Sequence, residues 1–112
     1  MRNEDAPWGW QGFTALVSFS FATDLTTGAC SLVLDLAEDA KPGSRAVSLQ
    51  FDTVAGLMLS DLGGGLTQLL SLDVRDISQQ QWDRQRYHVV ELERNAISFR
   101  CQIYSVLREY TI

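Results

Sequence analysis

The residues best suited to chemistry are carboxylates that gather in one stretch of the sequence. Asp73 and Asp76 flank Arg75, and Asp83 follows in the same stretch. Carboxylates at this density can bind a divalent cation or act as an acid and base pair in hydrolysis. Asp73 and Asp76 are three residues apart, so on a strand they point to opposite faces, and no DxDxDG loop surrounds them. The spacing therefore favours a charged surface that recognises a cationic partner.

The other reactive residue types predict structural roles. His88 is the only histidine, too few for a multi-histidine metal site, and no nucleophile and acid are grouped with it in the sequence. Cys30 and Cys101 belong to no CxxC motif, and in a cytosolic chain two such cysteines are expected to be buried, reduced thiols. We therefore expect no catalytic residue, no cofactor and no metal ligand, and we interpret the protein as non-enzymatic.

A glycine run and two tryptophans leave one alternative open. The three consecutive glycines at 63–65 lack the Gly-Lys-Ser/Thr of a P-loop and the GxGxxG spacing of a dinucleotide loop. They are typical of a sharp turn between strands. Trp8 and Trp10 either close the end of the core or form an exposed aromatic patch. If these tryptophans and the glycine loop line a common mouth, the chain is a small-molecule or carbohydrate-binding β-module.

Length and charge limit the class of protein. With 112 residues the chain is expected to form a single domain over 1–112. Its 14 acidic and 9 basic residues give a net charge of −5, which repels phosphate backbones and suits a basic protein partner. The N-terminal residues contain no apolar region of the secretory kind, and no apolar run approaches the ~18 residues that span a bilayer. We therefore expect a cytoplasmic protein that binds neither nucleic acid nor membrane.

Apolar and polar residues alternate with the period of a β-strand along most of the chain. The segments that follow this pattern are 13–21, 30–36, 47–51, 54–60, 70–75, 87–92 and 97–106. The apolar residues of the first segment are predicted to share one face: Phe13, Ala15, Val17, Phe19 and Phe21. Ser78 can cap a short helix near 79–85 that contains Trp82. The pattern predicts a mainly β protein, an antiparallel β-sandwich or open barrel of about seven strands with one short helix.

Short elements between residues 49 and 106 resemble a pattern found in small bacterial proteins. These elements are Leu49-Gln-Phe51, Gly63-Gly-Gly-Leu-Thr-Gln68, Asp76-Ile-Ser78 with Trp82, Tyr87, and Phe99-Arg-Cys101. Such proteins are similar in size and acidity to the immunity proteins of bacterial polymorphic-toxin and contact-dependent-inhibition systems. The resemblance spans about half of the chain and implies a binding role with no catalytic motif.

Charge and resemblance together predict an immunity protein that neutralises a bacterial toxin domain by occluding its active site. A nuclease toxin, for example, holds phosphates with Lys and Arg, and an acidic protein can occupy the same groove. The expected contact surface consists of Asp73, Asp76, Trp82 and Asp83. Besides the β-module, a small hydrolase that uses surface carboxylates and a metal stays open as an alternative. The sequence leaves the oligomeric state undetermined.

Overall fold

Two antiparallel sheets make up the computed structural model of the protein, which describes residues 12–60, 67–68, 72–80, 85–91 and 96–112. For residues 67, 68 and 80 the description extends to the backbone only. The strands in these ranges are β1 (Ala15–Thr23), β2 (Cys30–Ala37), β3 (Arg45–Asp52), β4 (Ala55–Leu59), β5 (Thr67–Gln68), β6 (Leu72–Asp76), β7 (Tyr87–Glu91), β8 (Ile97–Cys101) and β9 (Ile103–Thr111). The prediction of a mainly β, antiparallel protein is confirmed.

The strands divide between a five-stranded sheet A, in the order β5-β1-β2-β3-β9, and a four-stranded sheet B, in the order β4-β8-β7-β6. Two pairs of consecutive strands form hairpins, because β1 pairs with β2 and β7 pairs with β8. The first hairpin closes through a turn in which Gly28, at a φ of 79°, donates its amide to the carbonyl of Asp24 at 2.7 Å. The turn of the second hairpin lies outside the described residues.

The two sheets are joined at a corner, where two paired chain segments pass side by side from one sheet into the other. β3 pairs with β9 in sheet A, and their continuations β4 and β8 pair in sheet B. At the corner Thr53 adopts a left-handed φ of 56°, and the amide of Gln102 donates to the carbonyl of Asp52 at 3.0 Å. The predicted strand 97–106 is therefore two strands, because the chain bends at Gln102 to enter the other sheet.

The core lies between the sheets, so the fold is a sandwich. Inward-facing side chains of both sheets form one buried cluster: Leu32, Leu34, Leu36, Val47, Leu49 and Phe51 from sheet A, and Leu72, Val74, Val89, Ile97, Phe99 and Cys101 from sheet B. The rings of Phe51 and Phe99 meet edge to face with their centroids 4.9 Å apart. The sandwich prediction is confirmed, and the barrel alternative does not apply because the sheets stay separate.

β1 departs from the predicted alternation. Val17 is left unpaired between Leu16 and Ser18 in the ladder with β2. This bulge reverses the alternation beyond it, so Ala15 joins a small cluster on the outer face of sheet A while Phe19 faces inward. The prediction that the apolar residues of 13–21 share one face is therefore wrong, because one extra residue shifts the register.

The predicted helix near 79–85 is described only at its two ends. Ser78–Gln80 forms a single 3-10 turn, whereas Gln85 is not helical. Residues 81–84, which include Trp82 and Asp83, lie outside the described ranges. Among the described residues, no helical segment has both the length and the hydrophobicity of a membrane span.

Candidate functional site

The predicted contact surface falls partly on β6, an edge strand of sheet B. Leu72 and Val74 are buried in the core, so the alternation places Asp73 and Arg75 on the outer face of the sheet. There the Arg75 guanidinium makes a salt bridge with the Asp73 carboxylate. The negative charge of Asp73 is therefore offset by a neighbour on its own strand.

Asp76 ends β6 and is exposed. Its Oδ1 accepts a hydrogen bond from the amide of Ser78 at 2.8 Å, and its Oδ2 lies 4.0 Å from Nε of Arg86. The hydrogen bonds from the side chain and backbone of Ser78, with a smaller contribution from Arg86, lower the pKa of Asp76 below its ordinary value of 3.8. The structure thus places Asp73 and Asp76 on the same strand but on its two opposite sides, as their spacing predicts.

Several residues of the predicted sites fall outside the described part of the chain: Trp82 and Asp83 of the contact surface, and Trp8, Trp10 and the glycines at 63–65 of the alternative β-module. The contact surface and the β-module therefore stay predictions. The cavity at this end of β6 has a volume of about 460 Å³ and is open to solvent. The described residues that line it are Asp76, Ile77, Ser78 and Gln79.

Groups with catalytic or metal-binding chemistry are scattered in the described residues. His88 stands on the outer face of sheet B in a cross-strand row between Arg75 and Arg100. Its Nε2 lies 3.4 Å from Oγ of Ser98, but a catalytic pair also needs an acid that orients the imidazole. In the ranges that the structure describes, no three His, Cys, Asp or Glu side chains converge as metal ligands do.

β1 has an open sheet edge that was not part of the predicted contact surface. β5 pairs with only two residues of β1, Ala15 and Leu16, and no other described strand pairs with the remaining outer edge of β1, Ser18–Thr23. Only three residues separate β5 from β6, so the Cα atoms of Gln68 and Leu72 are at most about 14 Å apart. The open edges of β1 and β6 therefore lie on one side of the sandwich, which we call the open-edge side.

Large apolar side chains are exposed on the open-edge side. Phe19 and Phe21 face inward from β1, yet they are 43% and 46% exposed, and the bulged Val17 is 50% exposed. Exposed aromatic side chains grouped in this way mark interaction sites and act as anchors of interfaces. Their alternation predicted only that they share one face with Phe13 and Ala15, and the predicted contact surface did not include them. The signal that could have found them is the uncharged run of alternating Ser and Phe from residue 18 to residue 21.

The two cysteines differ in burial. Cys101 is buried in the core, where burial and, to a smaller degree, the charge of Asp52 raise the pKa of its thiol to about 12. Cys30 begins β2 and is half-buried, with its Sγ 3.6 Å from Oγ1 of Thr23. Both are free thiols. The prediction of buried thiols is confirmed for Cys101 and wrong for Cys30, because Cys30 lies beside the exposed hairpin turn.

This difference predicts unequal reactivity, because thiol reagents attack the thiolate. A maleimide added to the native protein is expected to label Cys30 and to reach Cys101 only on unfolding. The folded protein holds the proton of the Cys101 thiol more tightly than the unfolded chain does, because the pKa of Cys101 is raised by folding. The resulting contribution to the free energy of unfolding is fully present below about pH 9 and is lost as the pH rises to about 12. Mass spectrometry of the labelled peptides checks the result, with Cys30→Ser as the control. Equal labelling rates for both thiols in the native protein would contradict it.

A comparison of the chain with models of known protein families identifies one matching family. The family model described as immunity protein PIM8 matches residues 16–106. The matched range extends from β1 into β9 and includes both strands of the open-edge side, so it covers most of the chain. No curated protein and no solved structure matches the chain.

Proposed function

The chain belongs to the family of immunity protein PIM8, and from this we propose that it binds a bacterial toxin domain and neutralises it by occluding the active site. The observation that carries the proposal is the family match, which extends over both sheets of the sandwich. The family supports an immunity role, a toxin protein as the partner and a non-enzymatic mode of action. We propose the cytoplasm as the compartment in which the two proteins meet.

The charge of the chain supports a basic target surface. Its net charge of −5 complements the Lys and Arg side chains with which a nuclease holds phosphates. Complementary charge accelerates encounter and suppresses wrong partners. A nuclease domain whose substrate groove is basic is therefore the toxin class that we propose.

The contact that we propose uses the open-edge side, with separate roles for its two strands. Asp73 and Asp76 on β6 each face an arginine, so their net charge is small and they act at the rim, where charges mainly affect the rate of association. Trp82 and Asp83 follow β6 in the sequence and belong to the same proposed contact. The exposed Phe side chains of β1 supply the apolar anchors that slow dissociation.

Growth protection tests the proposed function. The protein encoded directly upstream of this chain is tested as the candidate toxin: it is expressed in a bacterial host with and without the chain, and growth is followed after induction. We expect the toxin alone to stop growth and coexpression to restore it, because a bound immunity protein keeps substrate out of the active site. Growth arrest that persists at equal expression levels would overturn the proposal.

Neutralising the β6 carboxylates is expected to have a small effect. The double variant Asp73→Asn and Asp76→Asn should associate with the toxin about two- to threefold more slowly and dissociate at an unchanged rate, because each charge is already partly offset by an arginine. Stopped-flow or surface-based kinetics at several salt concentrations measures both rates.

The matched control changes the net charge by the same amount at another end of the sandwich. Glu38→Gln and Glu109→Gln remove two carboxylates that share Arg45. This control should leave both rates close to those of the wild type. A loss of affinity in the Asp73 and Asp76 variant that comes from faster dissociation would contradict the assignment of these residues to the rim.

A further inference from the structure

The sheet edges of the sandwich differ in how they are protected against pairing with another chain. Charged side chains, bulges and short strands protect an edge. β6 carries Asp73, Arg75 and Asp76, and β9 carries charged residues and a bulge at Leu107. β4 is only five residues long and is irregular between Ala55 and Met58. Three of the edges in the described residues therefore carry a recognisable protection.

The open segment of β1 is the exception among the described edges. Ser18–Thr23 contains no charge, proline or glycine, and its bulge lies before it, at Val17. β2 pairs with its inner edge along its whole length, so the segment is held flat and extended while its outer edge has no described partner. The backbone N–H and C=O groups that point outward match one kind of ligand, another extended polypeptide.

The exposed side chains of the open segment indicate which residue types the middle of that polypeptide must contain. Phe19 and Phe21 stand on the same face, opposite Leu34 and Leu32 of β2, and each leaves more than two-fifths of its surface exposed. An added strand places its own side chains beside them at the same spacing, since alternate residues of neighbouring strands share a face. Apolar residues at alternate positions of the partner would bury both rings.

Carboxylates at the two ends of the segment indicate what the polypeptide carries at its ends. Asp35 lies opposite Ser18, and its oxygens accept hydrogen bonds from Oγ of Ser48 at 2.8 Å and from the hydroxyl of Tyr110 at 2.7 Å. Asp24 follows Thr23, and its Oδ1 accepts the amide of Thr26 at 2.8 Å. Asp35 and Asp24 thus accept hydrogen bonds from neutral groups, whereas the two carboxylates of β6 form salt bridges with arginines. The charge complement is a basic group at each end.

We infer that the open segment of β1 is the docking site for an extended strand of the toxin, about six residues long, apolar in its middle and basic at its ends. This inference rests on the proposed function and names the contact within the open-edge side. The added strand extends sheet A by pairing along about 20 Å of β1. Backbone pairing supplies affinity, and the two rings and two carboxylates select the sequence.

A matched pair of lysine substitutions tests the inference. Ser20 and Ser105 lie in one cross-strand row on the outer face of sheet A, at its two opposite edges, and both are exposed. Ser20→Lys places a charge on the open segment, where it opposes strand addition and repels a basic partner. Calorimetric titration with the toxin domain identified by the growth test is expected to show affinity reduced by about 30-fold or more for Ser20→Lys and by less than about threefold for Ser105→Lys.

A second pair of variants separates the apolar anchors from the edge. Phe21→Ala should reduce affinity by about 30-fold, whereas Val106→Ala on β9, where Val106 is also 46% exposed, should leave it within about threefold. Amide hydrogen exchange provides the direct readout. In the complex, amides of Ser18–Thr23 that exchange rapidly in the free chain should become protected, and those of β9 should not change.

The outcomes separate the inference from the proposed function. If the wild type binds the toxin while Ser20→Lys binds equally well and Ser18–Thr23 gains no protection, the docking site is overturned and the immunity role stands. If the wild type does not bind or protect at all, the proposed function fails and the docking site fails with it. If the pure chain forms a dimer that Ser20→Lys converts to a monomer, the occupant is a second copy, and the inference is wrong.

Discussion

Replacing Phe51 with alanine is expected to lower the free energy of unfolding by about 3–5 kcal/mol. Phe51 is fully buried on β3, and its ring contacts Phe99 of the facing sheet at 4.9 Å and Tyr104 of β9 at 6.2 Å between centroids. The substitution leaves a cavity between the sheets and removes an edge-to-face aromatic contact across them. Since a domain of this size is stable by only about 5–15 kcal/mol, the loss is a large fraction of the total.

Urea denaturation followed by circular dichroism measures this loss. Phe21→Ala is the control, because Phe21 is 46% exposed and its removal should cost about 1 kcal/mol or less. This control also shows that Phe21→Ala is folded when its affinity for the toxin is measured. Equal losses for the two phenylalanines would contradict the described packing of the sheets.

Replacing Glu91 with alanine is expected to lower the free energy of unfolding by about 3 kcal/mol. Glu91 ends β7 and is fully buried, and its Oε1 accepts a hydrogen bond from the amide of Ala96 at 3.2 Å, just before β8. Alanine leaves that buried amide without its acceptor and adds a cavity, which are two of the mechanisms behind large losses. The carboxylate thus links the last residue of β7 to the residue that precedes β8.

Glu91→Gln is the matched variant, because glutamine keeps an oxygen acceptor of almost the same shape. It should retain more than half of the stability that Glu91→Ala loses, as measured by thermal and urea unfolding. If Glu91→Ala unfolds with the wild-type midpoint, the hydrogen bond to Ala96 does not stabilise the hairpin. If Glu91→Gln is as unstable as Glu91→Ala, the stabilising feature is the charge and not the acceptor.

The sequence predicts β2 and β3 well because their alternation is regular and both are central strands of sheet A. Leu32, Leu34 and Leu36 fall on one face of β2 and are all buried, as their period-two spacing requires. The salt bridge between Asp73 and Arg75 could also be predicted from the sequence, since residues two apart on a strand lie on the same face. Local spacing suffices for these features because they depend on a single strand.

Other features depend on where separate strands meet, which local spacing does not encode. The bulge at Val17 and the bend at Gln102 each shift the pattern by one residue, and both are visible only in the pairing with a neighbouring strand. The exposure of Phe19 and Phe21 has the same origin. The residues alternate as core residues do, but they remain uncovered because sheet B packs over the central strands of sheet A. The uncharged alternation of Ser and Phe in β1 is therefore a local signal, but the exposure of these side chains follows only from the packing of the two sheets.

The most direct test of the central claim is a titration of the purified toxin domain with the chain while the toxin's own activity is followed. An immunity protein that occludes the active site should abolish this activity in proportion to the amount added, with none left at one equivalent. Ser20→Lys should require a large excess for the same effect, and Ser105→Lys should behave as the wild type. Full toxin activity in the presence of a saturating amount of the wild-type chain would contradict the account.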